Sequence, residues 1–153
     1  MKVATRKIAK NESFTTAFLV DQSPMEVFDA VNNVRGWWST SLVGKSAKVG
    51  DVFTFRYEDI HESRQELIEV VPGKRVVWLI RDASLNFVED KGEWKGTKVV
   101  FDISKKGGKT ELRFTHEGLV PAFQCFDQCS EGWGFFIDKS LKKLITTGKG
   151  EPA

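Results

Sequence analysis

Apolar and polar positions alternate with two different periods along this chain. Phe14, Thr16, Phe18 and Val20 alternate with Thr15, Ala17 and Leu19, and a period of two predicts a β-strand, in which successive side chains face opposite sides. Asp21-Gln22 breaks that run. Ser23 then stands where an N-cap would, Pro24 at the first helical position and Glu26 three residues after the serine, a capping-box pattern. A short helix over 24–32 follows, with Val27, Phe28, Ala30 and Val31 on its apolar side and Asn32-Asn33 with Gly36 at its end. Residues 39–51, rich in Gly, Ser and Lys, read as a connecting loop.

Five more strand-like runs come next: 51–58, 61–71, 75–82, 97–104 and 110–116. Breaks at Asp59, Pro72-Gly73 and Gly107-Gly108 make antiparallel hairpins the simplest connections. The longer connection 83–96 carries Leu85, Phe87 and Trp94, apolar enough to fold over a sheet edge or over the mouth of a cavity. Beyond it the period changes. Cys129, Trp133, Phe136, Ile137, Leu141, Leu144 and Ile145 recur at steps of one, three and four, which predicts one long amphipathic helix over 126–148 closed by Gly148. Gly132 and Gly134 inside it cost about 2 kcal/mol relative to alanine, whereas burying Trp133 and Phe136 contributes roughly 1.5–3 kcal/mol each. Burial wins, and glycines kept beside a large ring imply spare volume or a close backbone approach there.

The order is strand, short helix, five or so strands, long helix. It predicts an α+β fold: a curved antiparallel sheet of about six strands wrapped around the C-terminal helix, which buries both. Residues 1–11 are expected to be a flexible arm, and residues 12–149 the domain. At 153 residues the chain has the length of one domain and buries a core without staples.

Composition sharpens this picture. Twelve Phe and five Trp against a single Tyr supply large rings with few polar handles, more than a minimal core needs. A net charge of +2 is too balanced to hold a phosphate backbone, so nucleic acid is not an expected partner. No apolar run reaches the length of a bilayer span and residues 1–12 lack a secretory apolar segment, so a soluble, cytoplasmic protein is expected. Cys125 and Cys129, four apart, match neither a redox CxxC nor half of a zinc site and read as two reduced packing residues. With two histidines, no GxSxG, no HExxH and no phosphate-cradling loop, no metal or cofactor is expected.

A family likeness rests on an ordered set of segments: Ser23 to Phe28, Arg35-Gly36-Trp37-Trp38, Glu69 to Trp78, Glu93 to Thr97, Phe114 to Leu119, and Gly132-Trp133 with Ser140-Leu141. Together they resemble the START-like superfamily, also called SRPBCC or helix-grip, and within it the group similar to the C-terminal domain of the heat-shock-protein ATPase activator. The resemblance implies an apolar cavity between the sheet and the last helix, used in that superfamily for hydrophobic molecules. It implies no single activity, because the scaffold serves carriers, cyclases, receptors and chaperone activators alike. The activator proper also has an N-terminal domain that contacts the chaperone, and its lack here makes chaperone binding an unexpected role.

The expected cavity lining comes from inward strand positions and the inner helix stripe: Phe53, Phe55, Tyr57, Trp78, Phe114, His116, Trp133 and Phe136, with Trp37 and Trp38 near the entrance. His116 shares a strand face with Leu112 and Phe114, where it either meets a bound molecule or bonds the turn at Glu117-Gly118. His61, beside Glu62, is expected to face solvent. The leading function is binding of a small hydrophobic molecule, by a monomer or a homodimer. A cyclase or hydratase using His116 and Tyr57, or a protein-interaction module using a Trp37-Trp38 surface, are the alternatives.

Overall fold

Ser23 caps the first helix as its spacing predicts. Its Oγ accepts from the Glu26 backbone N–H at 3.2 Å, and a Glu26 carboxylate oxygen accepts from the Ser23 N–H at 3.1 Å. The structure is a computed structural model describing residues 12–153, so the expected arm over 1–11 lies outside the described residues. Strand β1 (Phe14–Val20) leads into α1 (Pro24–Asn32) and a single further turn, α2 (Val34–Trp37). Six strands follow: β2 (Val43–Gly44), β3 (Val52–Tyr57), β4 (His61–Val71), β5 (Arg75–Leu85), β6 (Lys98–Lys106) and β7 (Lys109–Glu117).

All seven strands pair antiparallel in one sheet of order β1-β7-β6-β5-β4-β3-β2. The first strand closes the far edge by pairing with the last, Phe14 opposite His116. The strand beyond the expected six is β2, two residues long inside the predicted loop and too short to carry a period. Register shifts at Arg64/Gln65 and Leu67/Glu69 interrupt the long β4–β5 pair, and such bulges bend a sheet. The concave side this makes holds Leu67, Val76, Trp78, Ile80, Val99, Phe101, Leu112 and Phe114, all buried.

The closing helix fills that concavity from Phe126 to Thr147, but it is not one uniform α-helix. It runs as α3 (Phe126–Trp133), a π-helical segment (Gly134–Leu141) and α4 (Lys142–Thr147). A π turn holds more residues per turn than an α turn, and here Ile137, Ser140 and Leu141 are all buried. Ser140 uses that position twice: its hydroxyl donates to the Trp37 carbonyl at 2.7 Å and accepts from the Glu151 N–H at 2.8 Å. Gly148 ends the helix at φ +86° as the predicted cap. The tail then doubles back, with Ala153 N–H bonded to the Trp38 carbonyl at 2.8 Å and Thr40 N–H to that of Ala153 at 3.2 Å.

Cys125 and Cys129 form a disulfide, against the expectation of two free packing thiols. The reason is local: their Cα atoms lie 5.6 Å apart at the start of α3, inside the span that a disulfide bridges.

Candidate functional site

A stack of rings divides the concavity in two. Trp78 on β5 stacks on Trp37 at 6.2 Å and on Trp38 at 5.7 Å, and Trp38 in turn stacks on Phe55 at 4.1 Å. Phe53, Phe101 and Phe114 close around this stack edge-on or through Trp133. On the α4 side of the stack the interior is filled. On the other side, between the β3–β4 turn, the connection after β5 and the start of the C-terminal helix, a pocket of about 700 Å³ opens to solvent.

Its wall is mostly rings: Trp38, Phe55, Tyr57, Phe87, Trp94, Trp133, Phe135 and Phe136. Ile60, His61, Gln128, Cys129, Gly132 and the tail residues Glu151, Pro152 and Ala153 complete it. Tyr57, Ile60, Phe87 and Phe135 are each two-fifths or more exposed and form the rim. Gly132 sits where an added Cβ would meet nothing within 4 Å, the spare volume that a glycine beside Trp133 implies.

Of the ten residues expected around a cavity, Trp38, Phe55, Tyr57, Trp133 and Phe136 stand in this wall. Trp37, Phe53, Trp78 and Phe114 are fully buried in the packed half and do not reach it. With Trp37 and Trp38 no more than 2% exposed, a tryptophan docking surface at that pair is ruled out.

His116 is buried below the wall with both ring nitrogens engaged. Trp133 Nε1–H donates to its Nδ1 at 3.0 Å, and its Nε2 lies 2.8 Å from Thr97 Oγ1. An indole N–H can only donate, so Nδ1 is an acceptor and the ring proton sits on Nε2. Thr97 passes its own hydroxyl proton to the Trp94 carbonyl at 2.5 Å. Burial pushes the His116 pKa down to about 3, with a smaller contribution from His61. The imidazole therefore has neither a free nitrogen nor a path to the pocket, which removes it as the acid or base of an enzyme there. The structural alternative is the correct one, though its partners are Thr97 and Trp133 and not the turn at Glu117.

His61 is the histidine in the wall, contrary to its expected solvent position. Its ring packs edge-to-face on Phe55 at 5.0 Å and on Trp94 at 4.5 Å, and burial lowers its pKa to about 4. The signal for it was present but weak. Tyr57 and His61 are register partners flanking the β3–β4 turn, so a residue facing Tyr57's side of the sheet had to be His61. Trp94 carried a clearer signal, a large ring in a connection apolar enough to cover a mouth.

A curved seven-stranded antiparallel sheet around a C-terminal helix, with an aromatic pocket at one end, defines a helix-grip protein of the START-like superfamily. The model of the family described as "Activator of Hsp90 ATPase homolog 1-like protein" matches residues 21–146, and the chain belongs to that family. Among solved structures it is similar to the Aha1 dimer from Colwellia psychrerythraea, at 23% identity and a TM-score of 0.70, covering 90% of this chain and 98% of that one. It is also similar to DynU16, a protein of the dynemicin biosynthetic locus, at 18% identity and a TM-score of 0.64, covering 90% of this chain but 48% of that one. CalU16 from Micromonospora echinospora shares 16% identity at a TM-score of 0.57, covering 89% of this chain and 77% of that one. At these identities the likeness shows the fold. Comparison with curated proteins returned no match. Among the described residues no helix is long and apolar enough to cross a membrane.

Proposed function

We propose that this protein, through a domain spanning residues 12–149 together with its returning tail, binds a small hydrophobic molecule in the pocket beside Trp133, as a cytoplasmic carrier or sensor. One observation carries the reading. Interiors pack to crystal-like density, yet about 700 Å³ stays open here behind a wall made mainly of aromatic rings, a volume and a lining typical of small-molecule sites. The wall includes Trp38, Trp94 and Trp133, so occupancy has an intrinsic reporter. Titration with neutral N-phenyl-1-naphthylamine is expected to quench tryptophan emission with saturation, and Gly132→Phe, which fills the space beside Trp133, is expected to abolish that signal. Absence of any saturable uptake by the native protein defeats the proposal.

Carriage is favoured over catalysis because the acid–base pair once expected, His116 and Tyr57, cannot work together: His116 is sealed behind Trp133. Homodimer formation is proposed on the likeness to the dimeric Colwellia protein, and light scattering of the eluting protein tests it.

A further inference from the structure

The inward row of β4 runs His61, Ser63, Gln65 before it returns to Leu67. Ser63 and Gln65 are 1% and 0% exposed. The corresponding rows of β5 and β6 are wholly apolar, with Val76, Trp78 and Ile80 on one and Val99, Phe101 and Ile103 on the other. Burying a hydroxyl and an amide costs free energy unless they are bonded, so three polar side chains in succession on this face call for a use.

Their hydrogen bonds have a direction. Gln65 Nε2 donates to Ser63 Oγ at 2.5 Å, and the same oxygen lies 3.1 Å from His61 Nε2. Ser63 has one proton to give. Passing it to His61 Nε2 makes that nitrogen an acceptor and places the ring proton on Nδ1. The reverse polarity, with His61 Nε2–H donating, either makes Ser63 Oγ accept twice and leaves its own buried hydroxyl proton without an acceptor among the described residues, or needs the Gln65 amide turned over, which strands a buried NH₂ group in place of the carbonyl oxygen, Gln65 Oε1, that now lacks a partner. Orphaned buried N–H donors are rarer than under-bonded carbonyls, so the first polarity holds. His61 Nδ1 makes no hydrogen bond to any described residue, and its ring stands in the pocket wall.

We infer that the molecule this pocket takes is neutral and apolar but carries one hydrogen-bond acceptor, a ketone, aldehyde or ester carbonyl oxygen, to which His61 Nδ1–H donates. The inference rests on the binding reading above. Ser63 and Gln65 are positioning residues that set the tautomer and the ring's orientation. Burial keeps His61 uncharged at neutral pH, so the wall offers no imidazolium to attract a carboxylate. The acidic residue in the wall, Glu151, is paired with Lys143 at 3.5 Å, and among the described residues the wall holds no lysine or arginine to receive an anion.

Two planar probes of the same outline separate the ideas: 2-acetylnaphthalene, with the carbonyl, and 2-isopropenylnaphthalene, with a CH₂ in its place. Both are followed by quenching of tryptophan fluorescence. His61→Phe, which keeps a ring and removes the donor, is expected to weaken the ketone about tenfold and to leave the alkene within about twofold. Ser63→Ala is expected to cost the ketone a smaller factor by releasing the tautomer. Long-range ¹H–¹⁵N spectra of the native protein, free of any variant's folding, are expected to show His61 protonated at Nδ1. Equal losses for both probes in His61→Phe, or a His61 ring protonated at Nε2, overturn the inference and leave hydrophobic binding standing. Failure of the native protein to take either probe overturns the binding reading as well.

Discussion

The indole N–H of Trp133 donates to Nδ1 of His116 at 3.0 Å, deep under the pocket floor. That bond fixes one tautomer, and the chain of donors continues through Thr97 to the Trp94 carbonyl. Three separate pieces of the fold are thereby joined: the C-terminal helix, β7 and the connection that carries Trp94. His116 works as a neutral strut between them, and a proton on Nδ1 would set two donors against each other.

Acid should therefore begin to destabilise this protein above the range where its carboxylates titrate. Both histidines have folded-state pKa values below the ordinary 6.5, about 4 for His61 and about 3 for His116, through burial. The unfolded chain binds protons the fold refuses, so the stabilisation is fully present above pH 6.5 and is lost as pH falls toward 4. Each histidine contributes a slope of about 1.4 kcal/mol per pH unit in that window. Urea unfolding at pH 7, 6 and 5 is expected to show a steep loss of stability between the last two, and a flat profile would contradict the buried neutral pair.

Gly118 should tolerate no side chain. It lies at φ +101°, and an added Cβ would stand 2.7 Å from Thr97 Cγ2, the residue that holds His116 Nε2. Gly118→Ala is expected to destabilise by roughly 1–3 kcal/mol, measured by denaturant midpoint, with added disturbance of the His116 ring signals.

Gly132→Ala should behave in the opposite sense. The position is helical, and an added Cβ meets nothing within 4 Å, so the substitution is expected to stabilise by about 1 kcal/mol. The same methyl enters the pocket wall. Affinity for an apolar probe is expected to fall while the melting temperature rises, a pairing that packing alone would not produce.

The Cys125–Cys129 bond closes a short loop within the first turn of the helix. Intact mass measured without reductant is expected to be about 2 Da below the reduced mass, following loss of two hydrogens on oxidation. Since Cys129 lies in the pocket wall, reduction is also expected to change probe affinity measurably.

Much of the secondary structure was legible because its causes are local. The capping residues of α1, the alternation in β1, β3 and β7 and the breaks between hairpins each act within a few residues of chain. The two-residue β2 was not, since it exists only as a partner for Val52–Tyr57. Nor was the π segment, whose wider turns answer to the surfaces it packs on. The site was half legible: periodicity tells which side of a strand faces inward, but not which inward residues meet one another. Thus Trp78 and Phe114 vanish into the core while His61, Trp94 and the tail form wall.

By itself the sequence determined an aromatic-rich α+β domain with a sheet bent around its last helix, because period, caps and turns are written in near neighbours. Tertiary structure decided which rings fill the interior and which stand around an opening, and which of two histidines is sealed and which is presented. Those outcomes depend on residues such as Thr97, Trp133 and Ser63 arriving from a connection, the C-terminal helix and a strand, and distances across the fold are set only when the sheet curves and the helix docks.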